Sequence, residues 1–318
     1  MSARCSLVVN GKTVRIAPGD TPLEAAVADG VIAPMQAMHG ASLLGQAAGP
    51  LRRRTEARGH RAEPVTLAVP DGSPLDPDAE AVPAAPGTKR AGTITEISYL
   101  GARRMEVVAT LTKPMDLEPG HAVSLAVDGF APVVLAPTLR LDGTTELNEL
   151  VFHLRREAWS DPDGLARALG DTVTHGHFVK VKGPEGRGHY RRGGGRLVLV
   201  AGDTGFAAIW SIARAARYIE PAREVAMVVG ASDPLDLYAR PALDWLRATG
   251  VARIVLAADR TRQRPPDVRP GPLTAHVPPL RATDAVYVSG CPSTVGAVEV
   301  LAASVGARCY AIPLDPAV

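Results

Sequence analysis

Cysteine is scarce in this chain of 318 residues, which contains only Cys5, Cys291 and Cys309. An odd number of cysteines without a C-x-x-C pair fits no closed disulfide framework. Disulfides are rare in the reducing cytosol, so we predict a cytoplasmic protein. Long apolar runs are also lacking. After Arg4, only Leu7–Val9 precede a polar residue, which is too short for a signal-peptide core. No stretch reaches the roughly 20 residues that cross a bilayer, so no membrane partner is predicted.

Aromatic residues and an excess of one charge are missing as well. Aromatic residues make up 4% of the chain, and its formal net charge is +2. Nucleic-acid-binding surfaces usually combine strong positive charge with rings that stack on bases. The composition therefore argues against a nucleic-acid partner. The hydrophobic content of 46% is that of an ordinary globular protein, and the length suits two or three domains.

Three segments with different residue patterns follow one another. Residues 5–17 contain two β-type runs around Asn10-Gly11, which is a strong hairpin signal, and a capped helix is predicted to begin near Thr21. Residues 78–91 are rich in Pro, Ala and Gly and read as a linker. We therefore predict a first domain over residues 1–88 that opens with two strands and a helix.

The rest of the chain divides into a β-type and an α/β-type part. Short β-type runs separated by turn residues fill positions 93–190, which predicts a small antiparallel β-barrel over residues 89–193. From residue 196, apolar strands alternate with helical patterns, which predicts a doubly wound parallel α/β domain over residues 194–318. The Pro- and Arg-rich stretch after ARIVLAAD is predicted to be a loop.

Several segments carry a family resemblance. They are VLVAGDTGFAAIWSIARAA, KVKGPEGRGHY, LYARPALDWL and YVSGCPSTVGAVEVL. With the order of the domains, they resemble the ferredoxin–NAD(P) reductase family of the three-module oxygenase-reductase type. That resemblance implies an N-terminal 2Fe-2S ferredoxin-like domain with a β-grasp fold over residues 1–88, an FAD-binding barrel and an NAD-binding domain.

The cluster ligands of that family are replaced in this sequence. The family binds its cluster through C-x4-C-x2-C and a distant fourth cysteine, because thiolates hold the iron. With Gly40 aligned to the glycine of that loop, the four ligand positions carry Ala37, Ser42, Gly45 and Val69. We therefore predict no 2Fe-2S cluster and no other metal site.

The flavin motif is also changed. The R-x-Y-S signature of the family, whose arginine meets phosphate and whose tyrosine covers the isoalloxazine, falls near Pro132, Val134 and Leu135. Arg140 lies too far along the chain to match it. Asp161 and Asp163 occupy the segment of the pyrophosphate turn, where they either repel phosphate or, in the interpretation we prefer, cap a helix.

The nucleotide turn keeps two of its three glycines, and an acid replaces the third. The A-G-G-T-G motif of the family appears here with Asp203 as its third residue. A carboxylate about 4 Å from a phosphate would cost roughly 4 kcal/mol at an effective dielectric of about 20. The predicted vestigial cofactor-binding residues are Gly202, Thr204, Gly205, Gly290 and Pro292.

Three further residues near this turn have two possible explanations each. Arg260 and Arg262 are either a clamp for the 2′-phosphate of NADP or solvated loop residues, and the second explanation is favoured. Cys291 is either a reactive thiol at a helix start or an inert buried one, and burial is favoured.

Together these changes predict a pseudo-oxidoreductase that binds no cofactor, neither FAD nor NAD(P)H, and has no catalytic residue. Its predicted role is that of a non-redox accessory or regulatory partner of an oxygenase or ferredoxin component, with the Arg52–Arg61 cluster as a docking patch. One alternative is a flavin- and NAD(P)H-dependent oxidoreductase without a cluster that passes electrons to an external acceptor. Another is a sensor that binds a small ligand in the flavin cleft.

Overall fold

The computed structural model describes residues 87–156, 164–260 and 264–314, together with three short N-terminal strands. These strands are β1 (Cys5–Val9), β2 (Lys12–Ile16) and β3 (Arg52–Arg54). β1 pairs antiparallel with both β2 and β3, and Val9 lies opposite Lys12. This register confirms the predicted hairpin. The predicted helix near Thr21 and the four cluster-ligand positions lie outside the described residues, and the domain boundaries stay predictions.

The second part of the chain forms an antiparallel sheet that curves into a barrel, as predicted. Its strands run in the order β7-β6-β9-β4-β5-β8. Phe152, Val107 and Val123 are among the fully buried side chains that fill it. Its elements are β4 (Thr88–Tyr99), β5 (Arg104–Leu111), β6 (Ala122–Val127), β7 (Val133–Leu135), β8 (Glu149–Arg155), α1 (Leu165–Ala168) and β9 (Phe178–Glu185).

The third part is the predicted doubly wound parallel sheet, with strands in the order β13-β12-β11-β10-β14-β15. Helices cover both faces, which is why the central strands are almost entirely apolar. The elements are β10 (Leu197–Gly202), α2 (Phe206–Ile219), β11 (Val225–Ala231), α3 (Arg240–Ala248), β12 (Arg253–Ala258), β13 (Val268–Pro270), β14 (Ala285–Gly290), α4 (Pro292–Ser304) and β15 (Arg308–Pro313).

One edge strand departs from the sequence prediction. The Pro- and Arg-rich stretch predicted as a loop contains β13, which pairs in parallel with β12. Pro270 ends this strand, and an edge position tolerates proline because it needs no donor on the solvent side. The strand is too short and too polar to have produced an apolar run in the sequence.

The barrel and the parallel sheet share a packed seam. The indole Nε1 of Trp210, on α2, donates a hydrogen bond of 3.1 Å to the carbonyl of Arg140 in the barrel segment. Trp210 and Phe206 are fully buried, and Ala136 and Tyr190 lie in the same apolar cluster. α2 therefore sits between the two parts. Among the described residues, no helix has both the length and the apolar character to cross a membrane.

Candidate active site at the carboxyl edge of the parallel sheet

The strand order of the parallel sheet reverses at β10. β10 is the first strand of the sheet, and its neighbours β11 and β14 lie on opposite sides of it. The turns that follow β10 and β14 therefore lead to opposite faces of the sheet. In doubly wound folds, ligands bind in the crevice at this topological switch point, outside the carboxyl ends of the strands.

Glycines bring the two turns at the switch point into direct backbone contact. A Cβ added to Gly205 would lie 2.4 Å from the carbonyl oxygen of Ser289. A Cβ added to Gly290, whose φ is +152°, would lie 3.1 Å from the Cα of Gly202. No side chain fits at either position without displacing backbone. The two turns are therefore held side by side, main chain against main chain, at the switch point.

The structure brings the five predicted cofactor-binding residues together at this crevice. Gly202 ends β10, Thr204 and Gly205 form part of a one-turn 3₁₀-helix, and α2 follows directly. Gly290 ends β14, and Pro292 is the first residue of α4. Their role as nucleotide-binding residues stays a prediction, but their proximity is what such a role requires.

The carboxylate of Asp203 in the turn is paired with an arginine. It has a φ of +53°, in the left-handed region that glycine favours. Its carboxylate accepts two hydrogen bonds from Arg104, at 2.5 Å from Nε and 2.6 Å from Nη2. Arg104 is the first residue of β5 and is 1% exposed. The expected repulsion of about 4 kcal/mol assumed an unpaired carboxylate, so that figure is an overestimate here.

The pair belongs to a charge network across the seam. Asp236 contacts Arg103 at 2.9 Å and Arg104 at 3.5 Å. Asp233 contacts Arg103 at 3.5 Å and Arg260 at 3.1 Å. The backbone N–H of Leu235, and then the charges of Arg103 and Arg260, hold the pKa of Asp233 below its usual value. The carboxylates at the crevice are thus balanced by guanidinium groups.

A neutral histidine, His153, lies on β8, next to the strand that carries Arg104. His153, 3% exposed, is opposite Glu106 in the β5–β8 register, with its Nε2 at 3.5 Å from the Glu106 carboxylate. Its Nδ1 is 3.1 Å from the hydroxyl of Tyr238. Burial lowers the pKa of His153, and burial together with the charge of Asp203 raises that of Tyr238. Both side chains are therefore uncharged at neutral pH. Sequence reasoning missed His153, which only the strand register could have indicated.

Known proteins resemble this chain over most of its length. No protein-family model matches it. The reductase subunit of an aromatic O-demethylase from an Amycolatopsis species is 30% identical over 252 residues, which cover 72% of this chain and 73% of that protein. This chain belongs to the family of ferredoxin-reductase components of oxygenase systems.

Other members and solved structures agree with this membership. The ferredoxin–NAD(P)(+) reductase component of the naphthalene 1,2-dioxygenase and salicylate 5-hydroxylase systems of a Ralstonia species is 26% identical over 237 residues. The match covers 72% of this chain and 69% of that protein. The crystal structure of an Amycolatopsis cytochrome P450 reductase has the same fold, with a TM-score of 0.62, 22% identity and 98% of both chains covered.

The prediction that this reductase-family chain binds no cofactor is wrong. Its relatives are reductase components, and one of them is named for NAD(P)(+). The FAD/NAD-binding domain of a Vibrio cholerae nitric oxide dioxygenase also shares the fold. Its TM-score is 0.58 at 15% identity, over 72% of this chain and 99% of that one. Cofactor binding is therefore expected. The altered motif at Asp203 does not exclude a nucleotide, because the charge of Asp203 is paired with Arg104 across the seam.

The family flavin signature is not reproduced by the described barrel residues. Pro132 is exposed, Val134 is half-buried and Leu135 is buried on β7, and none of them offers a cation or a phenol. Arg140 is held by Glu149 at 2.7 Å and Glu96 at 2.9 Å, and these contacts raise its pKa. These positions do not fit a flavin phosphate. Asp161 and Asp163 lie outside the described residues.

The other candidates near the crevice have mixed outcomes. Arg260 forms its ion pair with Asp233, and Arg262 lies outside the described residues. Cys291 is exposed, so the preferred prediction of a buried thiol is wrong. Its sulfur lies 3.0 Å from the hydroxyl of Thr294, at the start of α4. Cys291 is the last residue before α4 and its side chain is exposed. A sequence pattern of strand followed by helix does not show which way such a side chain points.

Glu118, His121 and His189 form a cluster that sequence reasoning also missed. Their potential ligand atoms lie within 4.8 Å of one another. Burial lowers the pKa of both histidines. The Nδ1 of His121 accepts the backbone N–H of Glu118 at 2.9 Å, so in the neutral ring Nε2 carries the proton. That tautomer lacks a free lone pair on Nε2, which weakens the cluster as a metal site.

Proposed function

We propose that this chain is the NAD(P)H-oxidising reductase component of an oxygenase system and delivers electrons to an oxygenase or ferredoxin partner. The observation that carries the proposal is the pair of glycine turns in contact at the switch point, with the carboxylate of Asp203 paired to Arg104. A main-chain cradle at a helix start, free of an uncompensated negative charge, suits the pyrophosphate of a dinucleotide. The roles in the names of the O-demethylase and dioxygenase relatives agree with it.

The residues that would hold the nucleotide follow from the crevice. The turn from Gly202 to Gly205 leads into α2, whose 14 residues place the positive end of a helix dipole at the turn. Gly290 and Pro292 form the opposite wall. When bound, a reduced nicotinamide supplies a hydride. The chain would supply the main-chain groups that hold the nucleotide. The stacked rings of Phe206 and Trp210, which follow on α2, are fully buried and exclude water from the seam.

No step is assigned to a flavin, because the described signature positions do not fit one. FAD remains the cofactor that the family implies between the nucleotide and the partner. If it binds, groups other than Pro132, Val134 and Arg140 must hold its phosphates. The prediction about the 2Fe-2S cluster stays a prediction, since its four positions lie outside the described residues.

The partner surface is a separate proposal. Arginines are concentrated between Arg52 and Arg61, and β3 (Arg52–Arg54) forms one edge of the N-terminal sheet. Complementary charge speeds the association of two proteins and selects partners. An acidic face on the oxygenase or ferredoxin component is the counterpart we expect. Electron transfer that slows as salt is raised would support this docking mode.

The proposed function is tested with the purified chain, with and without added FAD. NAD(P)H is mixed with ferricyanide as a one-electron acceptor, and nucleotide oxidation is followed at its absorbance band. We expect turnover that saturates with NAD(P)H. Binding of ADP, measured by calorimetry, reports on the nucleotide crevice alone. If the chain neither binds ADP nor oxidises NAD(P)H in the presence of FAD, the reductase proposal fails and a non-redox accessory role takes its place.

A further inference from the structure

Asp203 is out of place for a nucleotide turn in two respects. It is a charged residue in a turn built from main chain. Among the described residues, Asp203 is also the one non-glycine residue that has a positive φ. Both features would disappear with glycine at this position. The chain instead combines Asp203 with a buried arginine from another domain. The following argument rests on the proposed function.

The geometry shows which member of the pair is fixed. The Arg104 side chain is 2% accessible, whereas that of Asp203 is 28% accessible. Arg104 also lies 3.5 Å from the buried carboxylate of Asp236 and donates through Nη1 to the carbonyl of Arg103. These contacts, one to the parallel-sheet part and one within the barrel, fix the guanidinium of this β5 residue in place. The Asp203 carboxylate is the partly exposed group that is drawn to it.

We propose that Arg104 is a positioning residue for the dinucleotide: it holds the Asp203 carboxylate against the barrel, so that the turn accepts a pyrophosphate although it carries an acid. The fork of the guanidinium matches the carboxylate at two atoms, which fixes direction as well as charge. Lysine cannot reproduce this fork, because its ammonium is a point charge. Nucleotide binding thus depends on contact between the barrel and the parallel sheet.

A purely structural ion pair would make a different prediction. The chain offers a matched control in Arg196 and Asp284, which are 2.6 Å apart with side chains 5% and 0% accessible. These residues precede β10 and β14, so they lie at the amino edge of the same sheet, opposite the crevice. Weakening that pair changes stability without changing charge at the crevice.

The test measures calorimetric affinity for ADP and for adenosine, using the full chain without added FAD. ADP carries the diphosphate, and adenosine does not. We expect Arg104→Lys to weaken ADP binding about tenfold or more, because lysine keeps the positive charge but does not hold the Asp203 carboxylate in place. Asp203→Asn should strengthen ADP binding, because it removes the negative charge beside the phosphates. The double variant R104K/D203N should return close to the wild-type affinity. Adenosine binding should change little in all three, and R196K should change neither ligand.

Melting temperatures of each variant separate folding from binding. If R104K does not fold, D203N and D203G carry the test alone, and both should bind ADP more tightly than the wild type. If D203N, D203G and R104K all bind ADP with the affinity of the wild type, the inference is overturned and the proposed function remains intact. A wild-type chain that binds no ADP would overturn both.

Discussion

The guanidinium of Arg104 and the carboxylate of Asp203 meet through two hydrogen bonds of 2.5 and 2.6 Å, although 99 residues separate them in the chain. Arg104 opens a barrel strand, and Asp203 opens the turn after the first strand of the parallel sheet. The contact therefore joins the barrel to the parallel sheet at the switch point. Asp236, which contacts Arg104, is 6% exposed.

We expect Asp236→Asn to destabilise the chain more than the loss of an exposed ion pair. Asp236 is 6% exposed and contacts both Arg103 and Arg104, so the substitution removes one of the carboxylates beside each guanidinium. We expect a loss of about 2 kcal/mol, less than the roughly 3 kcal/mol lost when a buried charge keeps no partner at all. Urea unfolding at neutral pH measures the free energy of unfolding directly.

Asp267→Asn is the control for this experiment. Asp267 pairs with Arg240 at 2.8 Å, but both side chains are more than two-fifths accessible, at 47% and 44%. An exposed pair contributes less than about 1 kcal/mol. Equal losses of unfolding free energy in the two variants would show that the seam network does not stabilise the fold.

Gly205→Ala should damage both the fold and the crevice. Its added Cβ would lie 2.4 Å from the carbonyl oxygen of Ser289, which is backbone and cannot rotate away. The β10 and β14 turns must therefore separate, at an expected loss of about 2 kcal/mol in unfolding free energy. ADP binding should weaken as well, since the lining is main chain. Gly101→Ala is the control, because a Cβ there meets nothing within 4 Å. A G205A chain as stable as G101A would contradict the close approach.

Much of the architecture could be predicted from local patterns. The apolar runs Leu197–Gly202 and Val225–Ala231 are buried on both faces, and such runs indicate strands of a parallel sheet wherever they occur. The barrel likewise followed from short β-type runs and turns. These features depend on neighbours in sequence, which is why they were accessible without coordinates.

The site was predicted less well, and for a physical reason. The turn glycines were identified from their motif, but the effect of Asp203 depended on where its carboxylate points. That direction follows from its positive φ and from a partner in another domain. Motif reasoning treated the acid as unpaired and concluded that no cofactor binds. His153 was missed for a similar reason, because its relation to Glu106 exists only in the strand register.

His153 should make the stability of the chain depend on pH. Burial lowers its pKa in the folded state below the ordinary value of 6.5, and it faces the carboxylate of Glu106 and the hydroxyl of Tyr238. Below about pH 6.5 the unfolded chain binds a proton that the folded chain does not. The stabilisation from a neutral His153 is therefore complete above that pH and is lost as the pH falls toward the folded-state pKa.

The pH effect is measured as the unfolding free energy of the wild type and of His153→Gln between about pH 8 and pH 5. His121 and His189 also have lowered pKa values and contribute to the change in both proteins. The decline in stability on acidification should therefore be smaller in the variant, but not zero. Parallel curves would mean that His153 does not titrate differently in the folded and unfolded states.

Cys291 should be alkylated in the folded protein and protected by nucleotide. It is exposed and lies between Gly290 and Pro292, at the β14 turn, whereas Cys309 is partly buried and burial raises its pKa. Iodoacetamide should therefore modify Cys291 and leave Cys309 unmodified, as read by peptide mass mapping. Saturating ADP should slow the modification of Cys291, and adenosine should slow it less, because the diphosphate is the part that approaches the turns. Equal rates with and without ADP, in a chain that calorimetry shows to bind ADP, would place the nucleotide away from the β14 turn.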